Sequence, residues 1–197
     1  MLIAHSSAAH LVGRLFAAPL LLSLIALAPA SAAPFDYRLL STTKTSTMEK
    51  EMNQAADSGF LFASVMGGDV AAGGKEVVVV MQKDAATTAS KRLYKLLATS
   101  KTSTMQKEIQ ALGDEGFAYL GQSVFQSAFG GKEVVVILER DPSLPVIRID
   151  YLLLAATRTS TMQKELREAG EKGFAVAGMT VAKTSFGGPE IVTILKK

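Results

Sequence analysis

A repeat with a period of 57 residues organises the chain from about residue 33 to its end. Tyr37, Tyr94 and Tyr151 follow this spacing, and no insertion or deletion interrupts the register. A fixed period of this size is typical of tandem supersecondary units that stack on one another. The same spacing joins four further sets of identical residues: Met48, Met105 and Met162; Gly59, Gly116 and Gly173; Phe60, Phe117 and Phe174; and Glu76, Glu133 and Glu190.

Three repeats therefore follow an N-terminal segment. We call residues 33–84 unit 1, residues 92–141 unit 2 and residues 149–197 unit 3. Two short connectors join them. Residues 85–91 are rich in Ala and Thr, and residues 142–148 contain Pro142 and Pro145, which stiffen the path of the chain.

The order of patterns within one unit predicts a strand, a helix and two further strands. In unit 2, LYKLL has the composition of a strand, and Met105, Ile109 and Leu112 are spaced as the apolar face of a helix. Gly116 follows the expected last turn, where a left-handed residue ends a helix. GFAYLGQSVF and KEVVVILER predict the remaining strands. The predicted fold class is α+β, with three β-α-β-β repeats, one helix per repeat and mainly antiparallel sheets that pack together.

The last strand of each unit is apolar on both faces. It reads VVVVM at 77–81, VVVIL at 134–138 and IVTIL at 191–195. Such runs are typical of central strands covered on each side. They leave the strand order open, and an order with this strand between the other two makes every neighbour antiparallel and suits its apolar character. One helix covers only one face, and a 57-residue unit alone would bury only about 60% of its unfolded surface. The units are therefore expected to pack on each other, with approximate threefold symmetry as one arrangement, or to pair with another molecule.

A heptad recurs at the start of each predicted helix. Residues 45–51 read TSTMEKE, and residues 102–108 and 159–165 both read TSTMQKE. The pattern Ser-x-x-Glu/Gln predicts a capping box in which the serine is the N-cap. Loss of that serine is then expected to cost about 1 kcal/mol. The predicted pairs are Ser46 with Glu49, Ser103 with Gln106, and Ser160 with Gln163.

The same stretch supports an alternative interpretation. Hydroxyl groups beside a basic residue at a helix N-terminus can bind an anion. The candidate anion- or ligand-binding residues are Lys44, Thr45, Ser46, Thr47, Lys101, Thr102, Ser103, Thr104, Arg158, Thr159, Ser160 and Thr161.

The N-terminal segment has the pattern of a secretory signal peptide. Arg14 precedes an apolar run at 15–28, and Ala30, Ser31 and Ala32 form a small-x-small cleavage site. We expect cleavage after Ala32, hence a signal peptide at 1–32 and a periplasmic or secreted protein. The alternative is an uncleaved membrane anchor. No later segment is long and apolar enough to span a bilayer, so we expect no membrane span after cleavage.

The residue inventory excludes several chemistries. Both histidines, His5 and His10, leave with the signal peptide, and the chain has no Cys. This removes histidine- and cysteine-based nucleophiles, thiolate and imidazole metal sites, and disulfides. The carboxylates at Glu76, Glu133 and Glu190 supply one ligand per unit, whereas calcium takes six or more. We therefore expect no catalytic residue, no metal and no cofactor. The tyrosines at the start of each unit are expected to be core residues with a solvated hydroxyl.

The charge balance excludes one further class of partner. Without Arg14 the chain has 20 basic residues against 18 acidic ones, with the two signs interspersed. Nucleic acid is therefore not an expected partner.

The sequence favours an exported, non-enzymatic repeat protein of the bacterial envelope, acting as a structural, interaction or binding module with a protein partner or as a homo-oligomer. The alternatives are a small anionic ligand bound at the helix starts and, less favoured, a carboxylate-dependent hydrolase.

The repeat also resembles a small bacterial family, domain of unknown function 4177. The matching features in unit 2 are the early tyrosine in YKLL, the helix that leads into DEGF, and the closing strand VVVILER; units 1 and 3 have counterparts. Where that family usually has Trp after the glycine, this chain has Phe60, Phe117 and Phe174. The resemblance implies a β-α-β-β fold and carries no catalytic residue to this sequence.

Overall fold

A computed structural model describes residues 34–69, 75–85, 91–126, 132–183 and 189–197. The predicted signal peptide, most of the first connector and the paired glycines of the hairpin tips lie outside these residues. Each unit has the predicted order of strand, helix, strand, strand. The elements are β1 (Phe35–Thr42), α1 (Thr45–Asp57), β2 (Leu61–Asp69), β3 (Lys75–Asp84), β4 (Leu93–Thr99), α2 (Thr102–Asp114), β5 (Ala118–Gln126), β6 (Lys132–Arg140), β7 (Tyr151–Ala156), α3 (Thr159–Glu171), β8 (Ala175–Lys183) and β9 (Pro189–Lys196).

Each unit forms its own three-stranded antiparallel sheet, which confirms the predicted α+β class. The strand orders are β1-β3-β2, β4-β6-β5 and β7-β9-β8. The apolar third strand is therefore central in every unit, the order that its apolar character favours. The second strand of each sheet contains an irregularity in its register, between Phe62 and Ser64 in unit 1 and at the equivalent positions of units 2 and 3.

The helices end as the sequence predicts. Gly59, Gly116 and Gly173 have φ angles of 86°, 82° and 85°. In unit 1 the amide of Gly59 donates to the carbonyl of Ala56 (2.9 Å), and the amide of Phe60 donates to that of Ala55 (3.1 Å). This pair of bonds is the Schellman motif, and it satisfies carbonyls that the helix leaves open. Units 2 and 3 repeat both bonds.

The helices do not begin as predicted. Helix α1 begins at Thr45, with Lys44 as the N-cap and no hydrogen bond from a capping side chain, and the other helices start in the same way. The Thr42 hydroxyl at the end of β1 accepts from the Lys44 amide (3.1 Å), so the chain turns into the helix before Ser46 is reached. Ser46 is exposed in the first turn. The predicted capping boxes are therefore wrong, including those of Ser103 and Ser160.

Two hydrophobic cores are each shared by two successive units. The first lies between sheet 1 and sheet 2 and includes the buried side of helix α1; the second lies between sheet 2 and sheet 3 and includes the buried side of helix α2. Among the described residues, neither core contains side chains of both unit 1 and unit 3. The units therefore form a row, and the suggested threefold arrangement is wrong. The two junctions of this row, units 1–2 and units 2–3, are called the first and second junction below.

The middle sheet shows why its central strand is apolar on both faces. Val134, Val136 and Leu138 point to the second core, whereas Val135 and Ile137 point to the first. Each sheet thus has a helix-side face, covered by its own helix, and an outer face, which the preceding unit covers in sheets 2 and 3. The predicted packing of units on one another is confirmed for the outer faces of sheets 2 and 3. No helix among the described residues is long and apolar enough to cross a membrane.

Candidate interaction surface

The twelve residues predicted as an anion site lie at three separate helix starts. Those of units 1 and 2 alternate between exposed and half-buried, and all four of unit 3 are exposed. No hydrogen bond or ion pair joins one helix start to another in the part of the chain that the structure describes. The anion site therefore stays a prediction. The described residues also contain no group of three or more His, Cys, Asp or Glu side chains that could hold a metal ion.

In units 1 and 2, the Glu or Gln at the fifth position of the repeated heptad bonds to the next unit. The Oε2 atom of Glu49 accepts from the amide of Leu96 in β4 (3.0 Å). At the second junction, Gln106 Oε1 accepts from the amide of Leu153 in β7 (2.7 Å), and its Nε2 donates to the carbonyl of Tyr151 (3.0 Å). These side chains provide partners for the exposed edge of the neighbouring sheet.

A second polar side chain, four residues later on the same helix, extends this pairing. Asn53 Oδ1 accepts from the amide of Tyr94 (2.9 Å), and its Nδ2 donates to the carbonyl of the same residue (3.0 Å). Gln110 Oε1 accepts from the amide of Tyr151 (2.8 Å), and its Nε2 donates to Ile149 (3.2 Å). Because these groups satisfy backbone atoms of an edge strand, helices α1 and α2 each cover the edge of the next sheet. We call the two side chains of each helix its edge clamp.

The tyrosine at the start of units 2 and 3 completes each junction. Tyr94 accepts through its hydroxyl from the amide of Phe62 in unit 1 (3.0 Å). Tyr151 accepts from the amide of Tyr119 in unit 2 (2.7 Å) and donates to the carbonyl of Phe117 (2.9 Å). The accepting hydroxyls lie at the irregular step of the preceding unit's second strand. The expectation of solvated hydroxyls is wrong here, because the preceding unit buries them.

Burial changes the acidity of these tyrosines. It raises the pKa of Tyr151 to about 12 and, together with the nearby Tyr151, raises the pKa of Tyr119 to about 12. The pKa of Tyr94 is also raised, chiefly by burial and further by its hydrogen bond with Glu139. The neutral phenol is therefore the form that the junctions hold at ordinary pH.

Small residues let the second strands of successive units approach closely. A Cβ atom on Gly121 would lie 3.1 Å from Val65 Cγ1 and 3.2 Å from Phe62 Cζ across the first junction. On Gly178 it would lie 1.9 Å from the hydroxyl oxygen of Tyr119 across the second junction. Any side chain at Gly178 would therefore displace Tyr119.

No unit precedes unit 1 among the described residues, and the tyrosine on the outer face of sheet 1 is exposed. Tyr37 is 62% exposed, against 1% for Tyr94 and 4% for Tyr151 at the same position of the repeat. Leu39 is 68% exposed, whereas its equivalents in units 2 and 3 are half-buried. Unit 1 therefore presents, uncovered, the same kind of surface that units 2 and 3 bury.

The central strand repeats this contrast. Val78 and Val80 lie on the outer face of sheet 1 and are half-buried. Their equivalents Val135 and Ile137 are fully buried in the first core. The apolar face left exposed by unit 1 comprises Phe35, Tyr37, Leu39, Met66, Val78 and Val80. We call this set the open face of unit 1.

Unit 3 has an uncovered surface at the other end of the row. Val176 and Met179 are 55% and 51% exposed, and they occupy the positions at which Phe62 and Val65 contact unit 2. A Cβ added to Gly170 in helix α3 would have no heavy atom of another described residue within 4 Å, whereas Gly113 at the same position is packed against unit 3. We call this surface, which also includes the exposed side of α3, the open end of unit 3.

Sequence reasoning missed the edge clamps because it assigned the repeated heptad to local capping. A usable signal was present: in units 1 and 2 the helix has a second carbonyl-bearing side chain four residues after the first, at Asn53 and Gln110. Two such side chains on one helical face can reach a common partner. The signal does not say that the partner is the next unit.

A scan against protein-family models, a search of curated proteins and a search of solved structures each found no match. The resemblance to domain of unknown function 4177 therefore stays a prediction.

Proposed function

We propose that this chain is an exported, non-enzymatic interaction module of the bacterial envelope, which binds a protein partner through the open face of unit 1. One observation carries the proposal: Tyr37 and Leu39 are well exposed on a sheet face whose two counterparts in the same chain are buried. A contiguous apolar patch of this kind marks a surface used for association.

The composition of the chain supports the same function. The pattern of residues 1–32 favours export, and the remainder contains neither histidine nor cysteine with which to build the common nucleophilic centres. An apolar sheet face bounded by an edge strand, here β1, also offers backbone groups to a partner. Affinity then comes from apolar burial together with pairing along the β1 edge.

Site-specific photo-crosslinking in the host cell tests this proposal. A benzophenone amino acid replaces Leu39 in the open face or, as a matched control, Gln54 on the exposed side of helix α1. Irradiation is expected to give a discrete protein adduct from position 39 and none from position 54. If position 39 gives no adduct above the control in the envelope fraction, the proposed function is contradicted.

A further inference from the structure

We propose that the protein assembles head to tail, with the open end of unit 3 in one copy docking on the open face of unit 1 in a second copy. This inference rests on the proposed function and specifies its partner. The new junction would repeat the two junctions that already exist within one chain. The argument for a second copy is therefore continuity with an observed interface and the match between the two ends.

The contacts expected at this third junction follow from the repeat. Val176 corresponds to Phe62 and Tyr119, whose amides donate to the tyrosine hydroxyl of the next unit. In the assembly the Val176 amide would donate to the hydroxyl of Tyr37 in the second copy. Tyr37 would then be buried as its two equivalents are.

One of the two edge-clamp side chains of unit 3 is the same residue type as its equivalent in unit 2. Gln163 corresponds to Gln106, which accepts from the amide of Leu153 in β7 and donates to the carbonyl of Tyr151. Gln163 is exposed, and in the assembly it would pair with the backbone of Tyr37 and Leu39. It occupies the position from which an edge clamp reaches the next unit.

Charge favours the same pairing at the other clamp position. Arg167 corresponds to Gln110, which bonds to the backbone on both sides of Asp150. The equivalent of Asp150 in unit 1 is Asp36, which is exposed. In the assembly Arg167 would lie opposite Asp36 of the second copy. One charge-assisted contact would then replace the two neutral hydrogen bonds that Gln110 makes at the second junction. Association is therefore expected to weaken as salt is added.

Small residues on α3 leave room for the second copy. Gly113 allows the carbonyl of Ile149 and the ring of Tyr151 to approach the helix, since an added Cβ would lie 2.3 Å and 2.7 Å from them. Gly170 keeps the same space open at the open end of unit 3. A glycine inside a helix lowers helix stability by about 1 kcal/mol relative to alanine. Docking of Tyr37 into the space beside Gly170 would account for a glycine at this position.

Joining two different surfaces has a consequence for assembly. A head-to-tail contact leaves one open face and one open end, so it continues as a filament unless the row closes into a ring. A symmetric dimer through two open faces of unit 1 would stop at two copies. The two arrangements are therefore distinguished by blocking one end at a time.

A mixing experiment makes this distinction. In the chain from Ala33 onward, which forms one compact unit, Leu39→Glu blocks the open face and Met179→Glu blocks the open end. Sedimentation velocity is expected to show a concentration-dependent series of species for the parent and for the control Gln54→Glu. Each blocked variant alone is expected to be monomeric, with association weakened about tenfold or more. An equimolar mixture of the two is expected to give a heterodimer, because one intact face and one intact end remain.

Three results would overturn the inference. They are a parent that is monomeric at all concentrations, a mixture that stays monomeric, and a Met179→Glu variant that associates as the parent does. The last result would indicate symmetric pairing of open faces. Circular dichroism shows whether each variant has kept its fold.

Disulfide trapping tests the same contact without a blocking charge. Val65 contacts Gly121 at the first junction, and the equivalent pair between copies is Met179 with Ser64. The double variant Ser64→Cys, Met179→Cys is expected to give a ladder of covalent multimers on mild oxidation, since the chain has no cysteine of its own. Ser64→Cys alone is expected to stop at a dimer. A double variant that also stops at a dimer would overturn the inference.

The photo-crosslink at position 39 separates failure of this inference from failure of the proposed function. An adduct whose mass is that of a second copy supports both. An adduct with a different protein overturns the inference and leaves the proposed function in place. A crosslink to residues 1–33 of the same chain, or no crosslink, contradicts both.

Discussion

Sheet 1 and sheet 2 have the same strand order and nearly the same central strand, yet their surroundings differ. The outer face of sheet 2 is sealed by helix α1 and strand β2, and Val135 on it is fully buried. The outer face of sheet 1 has Val78 at the same place, half-buried, beside the exposed Leu39. The burial of a residue in this protein thus depends on the unit that precedes its own as well as on its place in the repeat.

This comparison indicates where the stability of the chain arises. In a row of stacked units, stability is the sum of contributions from the units and from the interfaces between nearest neighbours. The two cores here are such interfaces, since each contains a helix of one unit and sheet residues of two. Equivalent substitutions at a junction and at an open surface therefore measure the interface contribution directly.

The largest difference is expected between Val135→Ala and Val78→Ala. Val135 is fully buried, so its truncation is expected to lower the free energy of unfolding by about 2–3 kcal/mol. Val78→Ala removes the same atoms from the open face and is expected to cost less than about 1 kcal/mol in the monomer. Urea denaturation at low protein concentration measures both. Equal losses would contradict the difference in burial.

Opposite signs are expected for Gly113→Ala and Gly170→Ala. A Cβ on Gly113 would lie 2.3 Å from a backbone oxygen of unit 3, so this variant is expected to lose about 1–3 kcal/mol through strain at the second junction. Gly170→Ala meets no neighbour within 4 Å in the part of the chain that the structure describes, and it is expected to gain up to about 1 kcal/mol from helix propensity. Thermal unfolding of the dilute protein distinguishes them. Stabilisation by both variants would show that the second junction is looser than described.

Tyr151→Phe is expected to be more costly than Tyr37→Phe. Removal of the Tyr151 hydroxyl leaves the Tyr119 amide and the Phe117 carbonyl without their partner, at a cost of about 1–2 kcal/mol. The exposed hydroxyl of Tyr37 has no such role in the monomer, and its loss is expected to change stability by less than about 0.5 kcal/mol. Chemical denaturation measures both, and equal costs would contradict the burial of the junction hydroxyl.

The same tyrosine has a pH signature. Because burial raises the pKa of Tyr151 from 10.0 to about 12, the folded state favours the neutral phenol. Its contribution to stability is complete below pH 10 and is expected to be lost as the pH rises from 10 to 12. Tyr151→Phe is expected to reduce this loss, as followed by unfolding midpoints across that range. An unchanged pH dependence would contradict it.

The smallest expected effects separate the edge clamp from the predicted cap. Gln106→Ala removes two hydrogen bonds to β7 and is expected to cost about 1 kcal/mol. Ser103→Ala is expected to cost less than about 0.5 kcal/mol, because Ser103 is exposed and does not cap α2. A larger loss for Ser103→Ala would restore the capping box. A thermal shift with phosphate or sulfate that Ser103→Ala abolishes would support the anion site.

Much of the fold was predictable because its signals are local. The 57-residue period and the glycines after each helix predict the order of elements and the helix ends correctly, and the apolar run favours the central position that the third strand has. The junctions were only partly predictable. The apolar run shows that both sheet faces are covered, and it does not identify the covering group. That group is the preceding unit for sheets 2 and 3.

The helix starts show where local reasoning fails. Ser46 and Glu49 have the spacing of a capping box, and the structure instead places the N-cap at Lys44 and pairs Glu49 with Leu96 of the next unit. Glu49 and Leu96 are far apart in sequence, so their contact produces no recurring pattern within a single unit. The prediction that the tyrosines have solvated hydroxyls fails for the same reason, since identical positions are buried in units 2 and 3 and exposed in unit 1.

Disulfide trapping across the first junction most directly tests whether successive units share a core. The test uses the double variant Val65→Cys, Gly121→Cys. A Cβ on residue 121 would lie 3.1 Å from the Val65 methyl carbon whose place the sulfur of residue 65 would take. This separation is suited to a disulfide. Mild oxidation of the dilute protein is expected to give an intramolecular disulfide in nearly all molecules, with an unchanged circular dichroism spectrum. Thiols that stay free under these conditions, or that link only between molecules, would show that units 1 and 2 do not pack as described.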